Sequence, residues 1–91
     1  MTADTTYTVY IKSGAEKQLK DIPNNYQKRI TGAILALGNN PRPDGIRKLS
    51  GLENHYRIRI GPYRVIFTIK DNELIVVVIR IGARKEVYRG L

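Results

Sequence analysis

Five side chains in the C-terminal half of this 91-residue chain have the type and spacing to handle a phosphate: Arg57, Arg59, Arg64, Arg84 and Tyr88. In HYRIRI, Tyr56, Ile58 and Ile60 alternate with Arg57 and Arg59. An extended strand therefore sends both arginines to the face opposite its apolar residues. Gly61-Pro62 turns the chain, and Arg64 opens a second alternating run in which Tyr63, Val65, Phe67 and Ile69 share the apolar face. Pairing across that turn brings Arg59 beside Arg64. Like charges so placed repel, and folding gains nothing from them unless an anion neutralises both. The planar guanidinium is the side chain that grips phosphate bidentately. The plainer account is a solvated face whose long side chains keep their charges in water. Gly82 ends the last strand, so Arg84 and Tyr88 fall in an exposed tail, where Tyr88 can stack on a base or donate its phenolic proton. Arg47, Lys48 and Lys85 extend the same surface as candidate RNA contacts. Set for phosphate rather than for packing, each arginine is expected to matter to activity and little to stability, within about 0.5 kcal/mol.

Other chemistries lack their residues. There is no cysteine, which removes disulfides and thiolate metal sites, and the single histidine, His55, cannot build a zinc site without carboxylate help. No G-x-S-x-G elbow, phosphate-binding P-loop or G-x-G-x-x-G fingerprint occurs. No metal or cofactor is expected. His55 reads as a partly exposed histidine at a strand start, and Tyr7 and Tyr10 as packing residues.

Charge points the same way. The net charge is +8 and the pI about 10.1. Residues 1–39 contribute +2 and residues 40–91 contribute +6, and eight of the eleven cations in the second stretch are arginine. Such a surface calls for a polyanion. The length suits one domain, 1–91, with one core. The first ten residues are polar and the longest apolar run, Leu74 to Ile79, is strand-length, so neither a signal peptide nor a membrane span is expected. A reducing, cytoplasmic setting fits.

The elements that must carry these residues follow from hydrophobic period. Thr6 to Ile11 alternates and reads as a strand. Ser13 with Glu16 forms a capping box for a helix whose apolar face is Ala15, Leu19 and Ile22. Pro23 ends it, and Tyr26, Ile30, Ala33, Ile34 and Leu37 mark a second helix to about Gly38. Residues 39–52 read as a loop. Strands follow at His55–Ile60, Tyr63–Lys70 and Glu73–Ile81, the last two joined by a two-residue Asp71-Asn72 turn. The β-branched last strand suits a central position covered on both sides. The fold class is α+β: an N-terminal strand, a helical hairpin, then a three-stranded antiparallel meander, with the helices on one face of a single sheet.

Over essentially its whole length the chain resembles the RelE/ParE superfamily of toxins, and within it the RelE branch. KLSGLENHYRIRIGPYRVIF (Lys48 to Phe67), VIRIGARKEVY (Val78 to Tyr88) and the A-x-K-x-L-x-x-I-P run from Ala15 to Pro23 carry the resemblance. It implies the toxin of a type II toxin-antitoxin system: a ribosome-dependent mRNA endoribonuclease in which the ribose 2′-OH attacks its own 3′ phosphate without metal. It also implies a small acidic RelB-like antitoxin, with the ribosome and mRNA as further partners. By pattern the catalytic residues fall on Arg57, Arg59, Arg64, Arg84 and Tyr88. Arg59 and Arg64 would clamp the phosphate, Arg84 lie near the leaving 5′ oxygen, Tyr88 orient or protonate, and Arg57 assist the 2′-OH. Two departures stand out: arginines where several relatives carry lysines, and Ala83 where many carry histidine. A guanidinium is a poor base, so the site reads as mainly electrostatic. Two alternatives share the scaffold: a ParE-type gyrase inhibitor, and a non-enzymatic RNA-binding module.

Overall fold

Alternation in the strands demands one buried face, and the two helices supply its cover. The computed structural model describes residues 6–83 and 85–91. The elements are β1 (Thr8–Ile11), α1 (Ser13–Lys20), α2 (Asn24–Ala36), β2 (Arg47–Lys48), β3 (His55–Ile60), β4 (Tyr63–Lys70), β5 (Ile75–Gly82) and a one-turn 3-10 helix (Lys85–Tyr88). The strands form one sheet in the order β1-β5-β4-β3-β2, with β1 parallel to β5 and the other pairs antiparallel. Ile30, Ile34 and Leu37 at the end of the second helix pack with Val65, Phe67, Ile69, Val76 and Val78 in the buried core. Among the described residues no helix is long and apolar enough to cross a membrane.

The α+β class and the helical hairpin on one face match the sequence reading, and five details differ. The stretch expected to be loop contains β2, because Arg47 and Lys48 pair with Arg57 and Tyr56 at the sheet edge. Ser13 is the first helical residue rather than the cap, and the Lys12 cap position makes no side-chain hydrogen bond. Glu16 instead faces Lys20 at 3.9 Å, an exposed pair of little energetic weight. The central strand β5 is buried only toward the helices: Val77 and Ile79 on its other face are half-buried. Tyr10 does not pack in the core; it is 53% exposed.

The fifth difference is the β4–β5 connection, four residues rather than two. Asp71 accepts hydrogen bonds from Arg42 Nη1 at 3.0 Å and Nη2 at 2.9 Å, and from the Tyr7 hydroxyl at 2.6 Å. Arg42 also lies over the Tyr56 ring, 5.4 Å from its centroid. This cluster ties the start of β1, the loop after α2 and the β4–β5 turn to β3. Leu74 closes the turn at a φ of 56°, a left-handed conformation costly for a branched side chain, and its carbonyl accepts from Thr8 N at 2.8 Å. At the opposite end of the sheet Gly61, at φ 58°, starts the β3–β4 turn beneath Tyr26. A Cβ there would sit 2.6 Å from the Tyr26 ring, so the turn requires glycine twice over.

Arg42, and after it Tyr7, hold the Asp71 carboxyl at about 2, below the usual carboxylate range near 4. A depressed folded pKa contributes stability that is complete above the unfolded value and is lost as pH falls toward the folded one. Asp71→Asn is therefore expected to lower the urea midpoint at neutral pH. That gap should narrow as pH falls from about 5 to about 2. Since both partners are half exposed the effect is modest. Urea titrations of both proteins across that range check it, and a gap of constant size would mean that the charge of Asp71 is not what holds the turn.

Candidate nucleic-acid interface

The face of the sheet away from the helices carries the arginines, and the strand register arranges them in rungs. Arg59 lies opposite Arg64, and Arg64 opposite Gly82. In the next rung Arg47, Arg57, Ile66 and Arg80 cross from β2 to β5. A third rung holds His55, Thr68, Val77 and, on β1, Tyr10. Arg47/Arg57 and Arg59/Arg64 are both directly opposed like charges, an arrangement that costs stability when nothing neutralises it. Lys48, one residue out of phase with Arg47, lies in register with Tyr56 and so belongs to the helix side of the sheet. It is the one candidate contact that the register separates from the arginine face.

Arg80 reaches this face through an irregularity. Ile66 pairs with Arg80 but Phe67 pairs with Val78, so Ile79 is an extra residue in β5. Without it, Arg80 would share the core-facing parity of Val76 and Val78. With it, Arg80 turns outward and Ile81, 2% exposed, enters the core. The Ile81 amide is taken by the Gln18 side-chain oxygen of α1 at 2.9 Å, where β1 no longer runs alongside.

The C-terminal segment is not the exposed tail that the sequence suggested. Arg80 Nη1 donates to the carbonyls of Val87, at 3.4 Å, and Arg89. Val87 is 4% exposed and lies against Gly82. Folding back in this way brings the half-buried Tyr88 ring beneath the Arg64 guanidinium, 5.9 Å from ring centroid to Cζ. Arg64 Nη1 also donates to the Ala83 carbonyl at 3.3 Å. Its Nε is buried without a hydrogen bond among the described residues. Arg64, Arg59 and Tyr88 are thus assembled at one end of the sheet. Lys85 is exposed at the start of the 3-10 turn, and Arg84 lies outside the described residues.

The arginines do not share one environment. Arg59 is exposed, Arg64 half-buried, and Arg57 only 8% exposed. Arg57 is largely buried on this face, as is Ile66, so its replacement is expected to cost stability where the sequence alone suggested neutrality. Arg42, one of the eight arginines of residues 40–91, is paired with Asp71. Sequence reasoning missed Arg80 and Gln18. One signal was available for Arg80: a lone charge in parity with two core valines cannot remain in a regular strand.

A family described as the ParE toxin of type II toxin-antitoxin systems, parDE, matches residues 9–88. The chain belongs to the RelE/ParE toxin family. Among curated relatives it is 31% identical to a protein named RelE1 of Methanocaldococcus jannaschii, over 92% of this chain and 97% of that one. It is 36% identical to Toxin RelE3 of the same organism, over 79% of this chain and 84% of that one. Its fold matches that of the archaeal RelE-RelB complex from Pyrococcus horikoshii at a TM-score of 0.79 and 27% identity, covering 88% of this chain and 97% of that one. The protein is therefore built as a toxin of a type II toxin-antitoxin system, on the RelE pattern.

Two consequences of this family member's geometry can be measured. Arg57→Ala is expected to cost about 1–2 kcal/mol through lost packing, while Arg59→Ala stays within about 0.5 kcal/mol. Urea midpoints of the two variants decide this. Arg80→Met keeps the stem and removes the donors, so amides of residues 87–91 should exchange faster with deuterium while those of β4 keep their protection. Unchanged exchange in the tail would show that Arg80 does not hold it.

Proposed function

We propose that residues 1–91 act as a single toxin unit that cleaves mRNA held on the ribosome, in the cytoplasm. The observation that carries this reading is the joint placement of Arg59, Arg64 and Tyr88 around one point on an otherwise cation-lined face. In the reaction the 2′ oxygen forms a bond to phosphorus as the bond to the 5′ oxygen breaks, and negative charge builds on the non-bridging oxygens. Arg59 and Arg64 are placed to take that charge, which is the largest contribution a rigid cationic site makes. The hydroxyl of Tyr88, held against Arg64, would orient or protonate, and Arg84 would serve the leaving oxygen. Arg57, its stem fixed, would act on the 2′-OH by charge rather than as a base, since a guanidinium does not give up its proton near neutrality. Substrate alignment is left to the ribosome, and alignment of that kind removes a large part of a bimolecular barrier.

The same reading includes a partner. The similar structures from P. horikoshii and Methanococcus jannaschii are complexes of RelE with RelB. We infer a small acidic antitoxin of the RelB kind, steered by the net charge of +8. A second reading, inhibition of DNA gyrase without nuclease activity, is favoured by the matching family being the ParE one.

Primer extension on translated mRNA separates the two. Cleavage is expected with ribosomes and not on naked RNA, should persist in EDTA at levels that leave ribosomes assembled, and should fall at least about a hundredfold in Arg64→Ala. Intact mRNA together with blocked supercoiling by purified gyrase would overturn the nuclease reading.

A further inference from the structure

Beyond the arginine rungs the open face continues into a groove of about 620 Å³, lined by Lys12, Lys70, His55, Thr68 and Arg80 around Val77 and Ile79 and bounded at one end by Gly90 and Leu91. Resting on the nuclease reading above, we propose that this groove binds a nucleotide of single-stranded RNA flanking the scissile one. Its phosphodiester would lie on Lys12 and Lys70, and its base on Tyr10.

Three features point to that ligand. The first is side-chain charge of one sign: no Asp or Glu side chain lines the groove, and among the described residues neither lysine has an ion pair. Half-buried Val77 and Ile79 make its floor apolar, and a cationic cleft over a low-dielectric floor concentrates the field on an anion. The second is an aromatic platform. Tyr10 sits opposite Val77 in the register, has the outward parity of Lys12, and is 53% exposed with no core role. Cations beside an exposed aromatic ring are the means by which single strands are held without sequence-specific readout. The third is position. Thr68 follows Arg64 by four residues on the same face of β4, a separation of about 13 Å at strand rise. A single strand with its scissile phosphate on Arg64 covers that distance within a few nucleotides.

His55 gives the groove a fixed polar group. Its Nδ1 lies 2.7 Å from the Glu53 carbonyl, so Nδ1 carries the proton and donates, leaving Nε2 as the ring nitrogen without a protein partner among the described residues. Directly opposite, Thr68 supplies a hydroxyl that can donate to a phosphate oxygen or a ribose.

The test compares binding of the full chain to an RNA trinucleotide and to a twelve-nucleotide single strand, by fluorescence anisotropy over a range of salt. The Lys12→Gln/Lys70→Gln variant should weaken binding of the longer RNA and flatten its log–log salt slope by about 0.7 for each phosphate lost, with the trinucleotide unaffected. Tyr10→Ala should weaken the longer RNA by at least about fivefold without changing the slope, because stacking carries no charge. Lys17→Gln/Lys28→Gln, an equal charge change on the helices, is the control and should do neither. Equal slopes for the groove variant and the control would overturn the proposal, as would a Tyr10→Ala protein that binds like the parent. So would a groove that takes an acidic peptide in preference to RNA. Cleavage on ribosomes distinguishes this from failure of the nuclease reading. An active protein with unaltered salt slopes loses the groove alone, whereas an inactive parent protein loses both.

Discussion

The extra residue Ile79 in β5 is the constraint on which the rest of the open face depends. Before it the strand sends Val76 and Val78 to the helices, and after it the same task falls to Ile81. One residue of slip therefore lets a single strand satisfy two demands. It fills the core along its whole length, and it presents Arg80 where a regular strand would have buried a charge. From Arg80 follow the hold on the Val87 and Arg89 carbonyls and the return of the tail over Gly82, which brings Tyr88 against Arg64. Beyond the end of β1, Gln18 of α1 takes the Ile81 amide. The geometry of the candidate site is a matter of strand parity.

The two charge clusters of the molecule obey opposite rules. Asp71 and Arg42 are matched to each other: the carboxylate takes three hydrogen bonds, and the arginine that supplies two of them rests on a tyrosine ring. Around Arg64 the charges face one another with no carboxylate partner among the described residues, and one buried donor has no acceptor. Folding explains the first cluster and is opposed by the second. Stability on this face comes from what lies beneath the charges, chiefly Ile66, Val87 and the stem of Arg57, so the guanidinium groups stand on a packed base rather than on a mobile surface.

Much of this was legible in the sequence, and the illegible part has a common cause. The parity of HYRIRI and YRVIF gave the arginine face directly, because both strands are regular and Gly61-Pro62 fixes their register. The helical hairpin was readable from Ala15 to Leu37 for the same reason. What escaped depends on contacts between residues far apart in the chain. Ser13 looks like a cap, yet the helix begins at Ser13 itself. Asp71-Asn72 looks like a tight turn, yet Asp71 is claimed by Arg42 and Tyr7 from distant segments. Arg47 and Lys48 form a strand only because β3 offers an edge. Tyr88 looked like a free tail residue, and only the outward turn of Arg80 makes it part of a site.

The parallel pairing of β1 with β5 sets an order of events in folding. Thr8 to Ile11 lie in register with Ile75 to Val78, near the other end of the chain. Contacts of such sequence separation form late, after the loop-closure entropy of the intervening chain has been overcome. The antiparallel β3–β4 hairpin is local and needs no such wait. A chain emerging from synthesis thus presents its Arg57, Arg59 and Arg64 hairpin early, but closes the sheet only when β5 is complete. The Tyr88 contact comes after that. Activity would arrive as a final step rather than grow with chain length.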